Sequence, residues 1–153
     1  EYVRETYIES DLELMFPPTY IPNDSERISL YRELDNMEEE REILAFTERL
    51  KDRFGKIPKE GKELIRIVRL RRMAKRLGME KLVLKKGQMS IFLINNPDSP
   101  YYQSEAFDKL LAFIQKHPRE CNLRDQNGKR SIVIKNVRTV ETAGALVEEI
   151  EKS

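Results

Sequence analysis

The sequence predicts an α+β protein: a strand, three helices, a β-hairpin, a helix, a second hairpin and a last helix, with a small antiparallel sheet packed against the helices. Three observations lead there. Apolar residues recur every three to four positions from about residue 28 to residue 77, then every second position from residue 81, the periods of a helix and of a strand. Two turn signals, Lys86-Gly87 and Asn127-Gly128, each divide a strand-like run in two, as a hairpin requires. Strands joined by tight turns pair antiparallel, whereas a doubly wound sheet interposes a helix between successive strands.

The first strand is expected at Leu12, Leu14 and Phe16, which alternate before Pro17-Pro18 stops the pattern. Asn23-Asp24-Ser25 offers three candidate caps for a first helix with Ile28, Tyr31 and Leu34 inward. A second helix is expected from about Met37 to Phe54, with Ile43, Phe46, Leu50 and Phe54 as its stripe, and Gly55 stops it. A third runs from about Lys59 to Leu77 and ends at Gly78, with Leu64, Ile67, Val68 and Ala74 in its apolar arc. The first hairpin pairs Lys81–Lys85 with 88–94. Asn95–Pro100 is rich in turn formers, and Ser104 caps a helix with Phe107, Leu110, Leu111 and Ile114 inward, ending near His117-Pro118. The second hairpin joins Asn122–Asp125 to Arg130–Ile134, and Thr139 caps a last helix that buries Ala143, Leu146, Val147 and Ile150.

The 153 residues, 39% of them apolar, suit one domain over residues 1–153 with one core and a heavily charged surface. No run approaches the roughly 20 apolar residues that span a bilayer, no signal peptide is visible, and one cysteine makes no internal disulfide. A cytoplasmic location is therefore expected, and an opening at Glu1 rather than Met suggests a fragment. The net charge of +1 conceals a division. Residues 1–48 hold 14 acidic and 4 basic side chains, a net of −10, and residues 59–86 hold 11 basic and 3 acidic, a net of +8. Such halves either neutralise each other within the fold or present two charged faces to partners.

Catalytic signatures are missing. No glycine-rich strand-to-helix phosphate loop occurs, and one histidine with one cysteine cannot fill a four-ligand metal site. His117 reads as a residue at a helix C-terminus, and Cys121 as a small buried hydrophobe. The fragment is expected to be no enzyme and to hold no cofactor. Three features remain. Lys62, Arg66, Arg69 and Arg76 share one side of the third helix, with Arg72 at its edge. That side is either a grip for phosphates or a solvated face. Arg71 falls within the apolar arc of the same helix, where it is expected to be buried and tied to a carboxylate or to backbone carbonyls. Glu48 and Asp52, four residues apart, share a face of the second helix away from its stripe, with Arg49 and Arg53 beside them.

Several of these stretches resemble a known family. Tyr20-Ile21-Pro22 with Arg27-Ile28 and Leu30-Tyr31, then Asp52-Arg53-Phe54-Gly55 with Pro58, then Leu70-Arg71 and Leu77-Gly78-Met79, are similar to the C-terminal domain of the bacterial transcription-repair coupling factors. The resemblance implies a much larger parent whose ATP- and magnesium-dependent motor lies outside this chain. That parent moves along double-stranded DNA, displaces stalled RNA polymerase and recruits UvrA through an N-terminal UvrB-like module. It also implies a regulatory role for this domain, which would pack on the UvrB-like module and mask its UvrA-binding surface through acidic residues of the helix that ends in Asp52-Arg53-Phe54-Gly55. Asp52 matches one of those acids. The other falls at Arg49, beside Glu48, which can take its place. Two alternatives stand next to this expectation: an accessory contact to nucleic acid or RNA polymerase through the arginine-rich helix, and a structural end-cap of the motor.

Overall fold

The computed structural model describes residues 2–153. Its elements are β1 (Tyr7–Ser10), α1 (Asp24–Asp35), α2 (Glu40–Phe54), α3 (Lys59–Arg76), β2 (Lys81–Lys85), β3 (Gln88–Phe92), a 3-10 turn (Pro100–Gln103), α4 (Glu105–Lys116), β4 (Cys121–Gln126), β5 (Lys129–Lys135) and α5 (Val140–Lys152). The α+β class and the order of helices and hairpins agree with the sequence reading. Among the described residues no helix is long and apolar enough to cross a membrane.

Local chemistry explains the boundaries. Asn23, Ser104 and Thr139 accept the backbone N–H of Glu26, Phe107 and Thr142 and so start α1, α4 and α5. A reciprocal pair, Glu39 and Glu42, starts α2. Gly55 ends it at φ +86°, where a side chain would be strained. Both hairpin turns have two successive residues at positive φ, Lys86-Gly87 and Asn127-Gly128, the geometry that matches strand twist.

The chain falls into two compact units, Glu13–Arg69 and the N-terminal residues through Leu12 together with Leu70–Ser153. The core of the first holds Phe16, Ile21, Leu34, Ile43, Phe46, Leu50, Ile57, Ile65 and Val68. Tyr31 stacks on Phe16 at 5.5 Å between ring centroids, and its hydroxyl accepts the Phe16 N–H at 3.0 Å. Ile28, expected inside, is 49% exposed. Leu30, Tyr31 and Leu34 form the inward side instead, because an exact three-residue spacing drifts away from one face of a 3.6-residue helix.

The second unit is built on a five-stranded sheet ordered β1-β2-β3-β5-β4. Its pairs are antiparallel except β1 with β2, which run parallel, so the sheet is mixed rather than antiparallel. One face is apolar and buried, with Leu82, Leu84, Met89, Ile91, Ile132 and Ile134 all at most 2% exposed. α4 and α5 bury Leu110, Phe113, Val140, Ala143, Val147 and Ile150, the apolar cover that such a face requires.

The first strand lies earlier than expected. Leu12–Phe16 alternates but joins no ladder, and the strand is Tyr7–Ser10, which pairs with Lys81–Leu84. The last ladder contact is the Asp11 N–H on the Leu84 carbonyl, and the Ser10 hydroxyl then accepts the Leu12 N–H and turns the chain. Alternation records burial, but a strand also needs a neighbour with free backbone groups.

Candidate functional site

The exposed side of α2 is assembled by its contacts with α1 and the loop before it. Glu33 takes the Arg49 guanidinium, and Glu26 takes that of Arg53. The Arg53 guanidinium also lies 5.0 Å from the centroid of the Phe54 ring. With its arginines drawn toward α1, the helix leaves Glu48 and Asp52 exposed. Glu48 has one cation, Lys51 at 3.6 Å, and Asp52 has no side-chain partner among the described residues. Leu44, one turn before Glu48, is 53% exposed on the same ridge. An apolar side chain followed at four-residue steps by two carboxylates is a surface suited to a partner with an apolar centre and basic groups. The periodicity marks the two acids, but Leu44 does not stand out in it because it adjoins the stripe residue Ile43.

The residues that carry the family resemblance hold this helix in place. The Tyr20 hydroxyl donates toward the Gly55 carbonyl at 2.8 Å and the Leu50 carbonyl at 3.3 Å, serving the end of α2 that bears Asp52. Burial raises the Tyr20 hydroxyl pKa above the usual phenol value, so it stays a donor. Arg27 donates to the Ile21 carbonyl at 2.8 Å and pairs with Asp24. Ile21 is fully buried.

The arginine-rich face of α3 is largely engaged within the protein. Arg69 binds Glu40 through two nitrogens at 2.8 and 2.9 Å, Arg76 binds Glu151 at 3.0 Å, and Arg66 binds Glu63 at 3.0 Å. Arg72 has an interaction as well. Only Lys62 of the five has no side-chain partner among the described residues. It lines a surface cavity of about 450 Å³ with Lys56, Ile57, Pro58, Lys59 and Arg66. The acidic and basic stretches of the sequence meet directly at Arg69–Glu40 and where Lys81 and Lys85 share Glu9.

Arg71 is half-buried rather than buried, and it has a partner. The expectation assumed a single buried arc along the whole helix. The buried positions are instead Gly61, Ile65 and Val68 on one side, and Glu63, Ile67, Leu70, Ala74 and Leu77 on another. At 3.6 residues per turn these sets lie on nearly opposite sides, and Arg71 falls between them. The buried charge of α3 is Glu63, 8% exposed. The sequence does not single it out, because one acid on so highly charged a helix reads as solvated. Arg66, expected in solvent, is half-buried beside it. His117 terminates α4 and lies 3.2 Å from the Glu149 carboxylate. Cys121 is buried, and burial raises its thiol pKa.

Comparison with known proteins agrees with this architecture. The TRCF domain family matches residues 10–104. The chain is 30% identical to the transcription-repair-coupling factor of Escherichia coli (strain K12) over 121 residues, 78% of this chain and 10% of that protein. It is 27% identical to the protein of the same name from Rickettsia prowazekii (strain Madrid E) over 131 residues, 84% of this chain and 11% of that protein. The chain thus spans about a tenth of the length of these relatives. A crystal structure of the C-terminal domain of transcription-repair coupling factor superposes with a TM-score of 0.75 at 15% identity, covering 99% of this chain and 96% of that one. This chain belongs to the TRCF domain family, and its fold is that of the C-terminal domain of transcription-repair coupling factor.

Proposed function

We propose that this chain is the regulatory interaction domain of a cytoplasmic, ATP-dependent DNA translocase in transcription-coupled repair. It holds the parent's UvrB-like module closed by covering the surface that binds UvrA. The family assignment supplies the setting, and the exposed ridge of Leu44, Glu48 and Asp52 is the observation that carries the reading. The ridge lies on a helix of about four turns anchored at both ends, and its two exposed carboxylates are open to basic partners. In this reading ATP and magnesium belong to the motor, as do the contacts to RNA polymerase and double-stranded DNA, and the domain works without a cofactor. The engagement of Arg66, Arg69 and Arg76 by carboxylates argues against the alternative of a nucleic-acid contact through α3.

The test is a titration of UvrA against three forms of the parent: intact, carrying Glu48→Lys with Asp52→Lys, and lacking this domain. A masked site binds more weakly in proportion to the fraction of open molecules. The double substitution places like charges at the contact, so it is expected to tighten UvrA binding toward the level of the truncated parent. Tight binding by the truncated form alone assigns the masking to another surface of the domain. Equal binding by all three refutes autoinhibition.

A further inference from the structure

We propose that the open face of the sheet is a binding surface for single-stranded nucleic acid. The strand register arranges its side chains in rows across β1, β2, β3, β5 and β4, and one row reads Tyr7, Lys81, Phe92, Ser131, Arg124. Four residues further along, β2 and β5 present Lys85 and Lys135 on the same face, beyond an intervening row that holds Glu9, Val83 and the buried Val133. This face is the reverse of the buried one. Tyr7 is 65% exposed, and Arg124, Lys85 and Lys135 are also exposed.

The chemistry of the face selects its ligand. The cations of these rows meet one carboxylate, Glu9, which Lys81 and Lys85 already share at 2.9 and 3.5 Å. Arg124 and Lys135 have no carboxylate partner among the described residues. The surface is therefore positive overall, and the charges of Arg124 and Lys135 are free to meet a phosphodiester chain. Tyr7 and Phe92 stand two strands apart, about 10 Å at the usual strand spacing, with the Lys81 ammonium 5.9 Å from the Phe92 ring centroid. The exposed Tyr7 ring, with the half-buried Phe92 ring set among cations across the sheet, suits unstacked bases, which gain from stacking on an aromatic side chain. Duplex bases are already stacked and an acidic peptide has none to offer, so neither would use Tyr7. The inference does not depend on the masking role of α2, since it concerns other residues.

The test is fluorescence anisotropy of a labelled oligothymidylate of about 15 nucleotides with the full chain, from about 50 mM salt upward. Saturable binding is expected, with log K falling against log salt at a slope of roughly −2 to −3 for three or four neutralised phosphates. Tyr7→Ala should weaken binding by about tenfold or more, the scale of one lost base stack. Lys85→Glu with Lys135→Glu should weaken it similarly and reduce the slope by about 1.4. These side chains are exposed, so unchanged thermal melts are expected for the variants. No saturable binding, full binding by Tyr7→Ala, or equal displacement by polyglutamate overturns the proposal. So does loss of binding in Lys59→Glu with Lys62→Glu while the sheet variants bind fully.

Discussion

Replacing Arg66 by alanine tests the reading of α3 most directly. The Glu63 carboxylate is 8% exposed as a residue, and Arg66 donates to it at 3.0 Å. A hydrogen bond to a charged group contributes about 1.5–3 kcal/mol, and breaking a fully buried ion pair costs about 3–5 kcal/mol. Two features of the site argue for the lower range. The Arg66 side chain is itself 33% exposed, so water already screens the pair. The Glu63 side chain keeps 11% exposure, so water reaches the carboxylate as well. The expected loss is therefore about 2 kcal/mol, most of it the cost of a poorly compensated buried carboxylate. The assay is urea unfolding of the full chain at neutral pH, followed by circular dichroism, for the native protein, Arg66→Ala, Glu63→Gln and the double variant. Glu63→Gln in the Arg66→Ala background should recover part of the loss, because a neutral amide is cheaper to leave buried. Lys62→Ala, on an exposed site of the same helix, should stay within about 0.5 kcal/mol of the native protein. An Arg66→Ala effect as small as that of Lys62→Ala would refute the argument and return Arg66 to a solvated face.

Three further predictions concern Tyr101. Gly78 has φ +72°, and a Cβ there would meet the Tyr101 ring at 2.4 Å, so Gly78→Ala should cost roughly 2–4 kcal/mol in the same unfolding assay. The Tyr101 side chain is fully buried, and its hydroxyl has no hydrogen-bond partner among the described residues. Tyr101→Phe should therefore be neutral or stabilise by up to about 1 kcal/mol, and a loss above that would reveal a partner. Burial first and Tyr102 second push the Tyr101 pKa well above that of a free phenol. The neutral hydroxyl is thus favoured by folding below the unfolded-state pKa of about 10, and above it this residue lowers stability by about 1.4 kcal/mol per pH unit. Unfolding curves between about pH 9 and 11 should show a shallower decline in Tyr101→Phe, by one proton's worth, and an unchanged decline would contradict the burial.

Sequence alone determined the parts of this protein that depend on local chemistry. The caps at Asn23, Ser104 and Thr139, the stop at Gly55, both hairpin turns and the stripe of α2 are legible because a few neighbouring residues decide them. The exposure of Glu48 and Asp52 follows from the same helical period, and the Tyr20 and Asp52–Gly55 motifs sufficed to indicate the family. Tertiary structure decided whatever depends on a distant neighbour. The first strand is Tyr7–Ser10 because β2 lends it a ladder, although the better alternation lies at Leu12–Phe16. The arginines of α3 are engaged because Glu40 and Glu151 come to them from 29 and 75 residues away. Arg71 lies at the margin and Glu63 inside because α3 buries two nearly opposite sides, whereas a single apolar arc allows for one. Intrinsic periodicity fixes which side chains share a face, but only packing selects the face that loses water, since that free energy belongs to surfaces brought together from remote parts of the chain.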